Sequence, residues 1–170
     1  MPAKMEKIQI AGVKLSGELL QVNISGFSHA LDAKRDLSQL LSANQINMQF
    51  LSGVCLRGRS QATCCVRAEK EGRVRELIHA DPGLRDNAEF VPSVGLLSLF
   101  PHQFSLKILG LSLFAVGAAG VALHGMSSSL SALTLVTDYV HLNKAVAALQ
   151  EYFNMPVDND TFNPDPFEKR

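Results

Sequence analysis

The feature that most restricts this chain is that one pattern of hydrophobic spacing occurs twice. In the first half, Leu20, Val22 and Ile24 alternate with Gln21, Asn23 and Ser25, the period of a half-buried strand. Ala33, Leu37, Leu40 and Leu41 then fall at i, i+4, i+7 and i+8, which predicts a helix over 32–44. Ile46, Met48 and Phe50 restore alternation, Arg57 to Ser60 reads as a turn, and Ala62, Cys64 and Val66 alternate again. A second helix over 71–79 carries Val74, Leu77 and Ile78 and is stopped by Asp81-Pro82-Gly83. The second half repeats this order. It has a strand over 90–100, an apolar helix, strands over 121–129 and 131–137, and a helix over 141–153 bearing Leu142, Val146, Leu149 and Phe153. Ile46 matches Val121 at a spacing of 75 residues, and Ile78 matches Leu149 at 71.

Each copy needs a closing strand. The first finds one in 87–92, whereas the second runs out of strand-like sequence after Phe153. The unclaimed strand is the N-terminal one, Lys7 to Lys14, so the economical arrangement inserts the first unit within the second. The expected units are therefore 18–92, inserted, and 7–14 together with 93–154. The polar, proline-bearing stretch 155–170 is expected to be a flexible tail.

Composition excludes several classes. Sixteen basic and sixteen acidic side chains give zero net charge, which argues against a nucleic-acid partner. The sixteen uncharged residues from Ile108 to Leu123 fall short of the about 20 that a membrane span needs. They read as a buried helix ending near Gly120, followed by a buried strand. The start, Met-Pro-Ala-Lys-Met-Glu-Lys, has no apolar run, so no secretion signal is expected and the reading is cytoplasmic. Cys55, Cys64 and Cys65 are too few and too close for a disulfide framework. Adjacent strand positions point Cys64 and Cys65 to opposite faces, which precludes a joint metal site; Cys64 reads as core and Cys65 as exposed or interfacial. The basic surplus between Arg57 and Arg85 reads as a solvated face. No catalytic constellation, phosphate loop or cofactor motif is present.

Ala119 to Ser129 (AGVALHGMSSS) resembles the alanine-glycine turn and Ile-Ser-Thr-Ser-type strand end of the tandem ACT domains at the C-terminus of aspartokinases. The match continues through Leu133, Leu135, Asp138, Lys144-Ala145-Val146, Ala148-Leu149 and Phe153. Gln45-Ile46-Asn47-Met48 stands where the family has an Ala-Gly-Ile-Asn turn, and Ile10-Ala11-Gly12-Val13 is similar to the strand that completes the family's second unit. The resemblance covers about 7–154 and implies an α+β fold. It consists of two ferredoxin-like (βαββαβ) ACT units sharing a side-by-side antiparallel sheet with helices on one face. It also implies a non-catalytic regulatory module, similar to the separately made regulatory subunit of some aspartokinases, that binds an amino acid or similar metabolite at ACT–ACT interfaces. The alternative is a degenerate interaction module, or a regulatory subunit of a separate aspartokinase-type enzyme, with no ligand of its own.

The family's pocket forms where a strand–helix loop of one unit meets a strand of another. That points to Ser28, His29 and Asp32 in the first unit's loop, Pro101 and His102 in the second's, and Ser127, Ser128 and Ser129 at a strand end. Each has a plainer reading: Asp32 as a helix cap, the histidines as solvated loop residues, the serines as turn formers. The family's Pro-Gly pair is replaced by Leu31-Asp32, and its Gln-Asn pair by residues near 51–54 (Leu-Ser-Gly-Val). A homodimer is expected, because the sheet's uncovered face and edges would carry outward-facing Leu51, Leu97 and Leu99.

Overall fold

The computed structural model describes residues 6–27, 30–56, 59–100 and 105–158. In chain order the elements are β1 (Ile8–Gln9), β2 (Gly12–Leu15), β3 (Leu19–Phe27), α1 (Ala30–Ala43), β4 (Met48–Leu56), β5 (Arg59–Arg67), α2 (Glu71–Ala80), β6 (Ala88–Phe100), α3 (Leu106–Ala118), β7 (Leu123–Ser128), β8 (Leu133–Asp138), α4 (Leu142–Gln150), β9 (Phe153–Asn154) and β10 (Val157–Asp158). The chain divides into an inserted unit, Glu18–Ser93, and a composite unit built from the segments on either side of it.

In the inserted unit the strands lie in the order β4-β5-β3-β6, the antiparallel register running Leu20↔Val66 and Ile24↔Ala62. That is the 2-3-1-4 order of a ferredoxin-like βαββαβ unit. Period-2 alternation puts Leu20, Val22, Ile24, Ala62, Cys64 and Val66 on one face. There they form a core with Leu37 and Leu41 of α1 and Val74 and Ile78 of α2. Leu37 and Leu41 are fully buried, so the helix face read from spacing is the one that packs.

The composite unit repeats the order as β7-β8-β6-β2, with β10 added parallel to β2. The N-terminal segment supplies the closing strand, with Gly12↔Phe100 and Leu15↔Leu97. It forms two short strands rather than one over 7–14, and β1 pairs in parallel with β9. Its core joins Val13, Leu15, Leu97, Leu99, Leu133 and Leu135 to Ile108 and Val116 of α3 and Leu142, Val146 and Leu149 of α4. The strand β6 starts in the inserted unit and ends in the composite one, and Ser93, at the change, holds φ 54.

The duplication extends to hydrogen bonds. At the end of α1, Ile46 N–H donates to Leu41 O and Gln45 N–H to Ser42 O. At the end of α3, Val121 N–H donates to Val116 O and Gly120 N–H to Gly117 O, each partner 75 residues on. Gln45 (φ 56) and Gly120 (φ 65) both take the left-handed conformation that closes a helix. At the other junction, one 3₁₀ turn precedes α2 (Ala68–Lys70) and another precedes α4 (Tyr139–His141), 71 residues apart. The four-residue difference arises in the hairpins, because β4 and β5 have nine residues each and β7 and β8 six.

Several expectations are corrected. Leu97 and Leu99 are fully buried rather than outward-facing; of the three leucines named, Leu51 is the exposed one. Cys65 is as buried as Cys64. The apolar helix is not buried all round, since Leu106 and Phe114 of α3 are 81% and 60% exposed. The strand after it exposes Leu123 and Met126. Met155 is buried and β10 pairs with β2, so ordered structure continues past residue 154.

Candidate functional site

Cross-strand register decides which of the serines can act together. Ser127 pairs with Thr134 and Ser128 with Leu133, while across β8 Thr134 pairs with Ser98 and Leu133 with Leu99. The end of β7 therefore lies level with the end of β6, the strand that leads through 101–104 to α3. At the start of α3 the Ser105 hydroxyl accepts a hydrogen bond from Ile108 N–H at 3.2 Å. This N-cap satisfies one of the helix's free amide donors and leaves others, with the positive end of the helix dipole, at the same end of the unit.

The three serines do not converge. Alternation sends Ser127 to the face where Ser98 and Thr134 hydroxyls share a hydrogen bond of 2.9 Å. Ser128 lies in register with core residues Leu133 and Leu99 on the other face, exposed because it ends the strand. Ser129 serves the turn: its hydroxyl accepts from Ala132 N–H at 3.1 Å, and Ser129 N–H donates to Ala132 O at 2.8 Å. That is the turn-forming role. Ser28, His29, Pro101 and His102 lie outside the described residues. Asp32 falls in the first turn of α1.

A second polar cluster was not anticipated. At the opposite end of β8, Asp138 Oδ1 is 2.8 Å from His124 Nε2, and its Oδ2 is 3.1 Å from His141 Nδ1. The hydrogen bond from His124, joined by that from His141, holds the Asp138 carboxyl below the usual carboxylate range. Sequence spacing could have flagged Asp138 and His141, three apart at a helix start. His124 reaches them through the irregular register between Leu123 and Gly125, which no periodicity reveals. One carboxylate bridging two imidazoles clamps the start of β7 to the turn before α4. It has no nucleophile beside it, and among the described residues no group of three His, Cys, Asp or Glu is arranged to hold a metal ion.

The cysteines offer no chemistry either. Burial pushes the Cys64 thiol up to about 12 and that of Cys65 higher still, so neither supplies a thiolate near neutral pH.

With strand order 2-3-1-4 in both units and the closing strand of one drawn from the N-terminus, the architecture can be compared with known structures. The regulatory subunit of aspartate kinase from Thermus thermophilus superposes with a TM-score of 0.71 at 17% identity, covering 85% of this chain and 99% of that one. The fold is that of the aspartate kinase regulatory region. Aspartate kinase from Synechocystis gives a TM-score of 0.79 at 14% identity over 91% of this chain and 28% of that chain. A putative C-terminal regulatory domain of aspartate kinase from Porphyromonas gingivalis gives 0.61 at 13% identity, covering 84% and 97%. No protein-family model and no curated protein matches the sequence. At such identities the likeness establishes the ACT-type regulatory fold without a kinase domain. No described helix is long and apolar enough to cross a membrane.

Proposed function

We propose that this chain is a non-catalytic, cytoplasmic regulatory module that binds an amino acid or similar small metabolite at ACT–ACT interfaces of a homodimer and so regulates a partner enzyme. The observation that carries the reading is the level register of Ser127 and Ser128 with the strand leading to the Ser105-capped start of α3. Free amides and the helix dipole there suit a carboxylate. The serine hydroxyls suit an ammonium or carboxylate, and the loops carrying Ser28, His29 and Asp32 or Pro101 and His102 complete the site. Of these, Asp32 is the group suited to the ammonium, which favours a zwitterion over a plain anion. Ser129 is the weakest member, being committed to its turn. The effector would act by binding one arrangement of units or subunits more tightly than another. An aspartokinase-type enzyme is the partner that the fold suggests.

The other reading, an interaction module without a ligand, is favoured by one observation. Edge strand β4 exposes Leu51 and Val54, and edge strand β7 exposes Leu123 and Met126. Thermal unfolding with each amino acid separates the two. A ligand at 100 times its Kd adds about 2.7 kcal/mol and raises Tm. Ser128→Ala should then weaken binding, with about 0.5–1.5 kcal/mol at stake per neutral hydrogen bond. No rise with any amino acid leaves the interaction module as the function.

A further inference from the structure

The helix α3 carries one charge, Lys107, and turns an apolar face to solvent. Leu106 is 81% and Phe114 60% exposed, and Gly110 and Gly117 flank Phe114 with open space where a Cβ would stand. Phe114 is held from one side by the edge of the Tyr152 ring at 6.0 Å. We propose that this face is the docking site of the chain's own C-terminal segment, residues 159–170, anchored by Phe167.

Size argues for a short segment over a second protein. A helix of 13 residues is about 20 Å long, and a face about 10 Å wide offers about 200 Å². A stable two-chain interface needs about 800 Å² per partner. An aromatic side chain buries about 150–250 Å², which matches the face. A tethered segment also avoids most of the translational cost of association, since its effective concentration is in the millimolar range.

Reach and composition agree. The chain leaves the composite unit at β10, fixed by Val157↔Val13 and Asp158↔Lys14. Phe167 is nine residues beyond Asp158, up to about 30 Å of extended chain, enough to cross a unit of this size. Phe162 and Phe167 are the segment's only large apolar side chains. Pro164 and Pro166 stiffen the stretch before Phe167, which lowers the entropy lost on docking. Asp165 and Glu168 bracket Phe167 and can pair with Lys107, with Lys169 and Arg170 left beyond.

Methyl NMR on the full chain tests this. Phe167→Ala should remove ring-current shifts from the Leu106 methyls while those of Leu20 and Leu41 in the inserted unit stay put, at any protein concentration. In the reverse variant, Phe114→Asp, amide exchange across 159–170 should speed up while α3 keeps its helical shifts. The proposal is overturned if the Leu106 signals are the same in wild type and Phe167→Ala. It is equally overturned if they shift with protein concentration in both, which would make a second copy the occupant.

Discussion

At the scale of the residue, Gln45 and Gly120 do the same task with different fitness. Both close a helix in the left-handed region, where a side chain costs about 1 kcal/mol and glycine does not. Gln45→Gly should therefore stabilise the inserted unit by up to about 1 kcal/mol, and Gly120→Ala should destabilise the composite unit by a similar amount. Urea unfolding of the two variants checks both signs. Asp138 makes a pH prediction. Its carboxyl is held low by His124 and His141, so the folded chain binds fewer protons there than the unfolded one. The stabilisation is full above the unfolded value of about 3.9 and is lost as pH falls through the lower folded value. The stability difference between wild type and Asp138→Asn should accordingly narrow below about pH 4, as read from unfolding midpoints across pH. Asp138 is more than a third exposed, so the effect at neutral pH is modest, about 0.5–1 kcal/mol.

At the scale of the element, hydrophobic period foretold which faces pack, and chain-neighbour relations concealed which polar groups meet. Leu37 and Leu41 were legible because helical spacing names a buried face directly. Cys65 was not, because alternation says only that it opposes Cys64 and is silent on what covers its face. The three serines were legible as a strand end, yet their adjacency in a strand is what keeps them apart. His124 and Asp138 meet only through an irregular hairpin register, 14 residues apart. The 13-residue strand β6 is where element and packing press hardest on each other. A Cβ on Gly95 would stand 2.6 Å from Leu142 Cδ1 and 3.0 Å from its Cγ, so β6 and α4 approach through the absence of a side chain. Gly95→Ala should cost about 1–3 kcal/mol by overpacking, measured by denaturant unfolding. Pairing it with Leu142→Ala should recover part of that loss, which a purely backbone effect at residue 95 would not allow.

At the scale of the whole molecule, the duplication carried most of the fold, since two spacings, 75 and 71, located two helix ends and two strand–helix junctions. The effector site was less legible because it depends on loops and on contacts between units, neither of which leaves a periodic trace. The edge strands β4 and β7 each pair on one side among the described residues and carry exposed apolar side chains, so a homodimer is expected. Light scattering at micromolar concentration should give about twice the 18.5 kDa chain mass; a monomer would refute the assembly. The central claim is that an amino acid binds where the end of β7 lies level with the start of α3. Amide NMR of the full chain, titrated with each amino acid, reads that most directly. The account predicts saturable shifts for at least one amino acid, centred on Ser105 to Ile108 and Ser127 to Ser128. Saturable shifts confined to the His124–Asp138–His141 end, or no shifts with any amino acid, would contradict it.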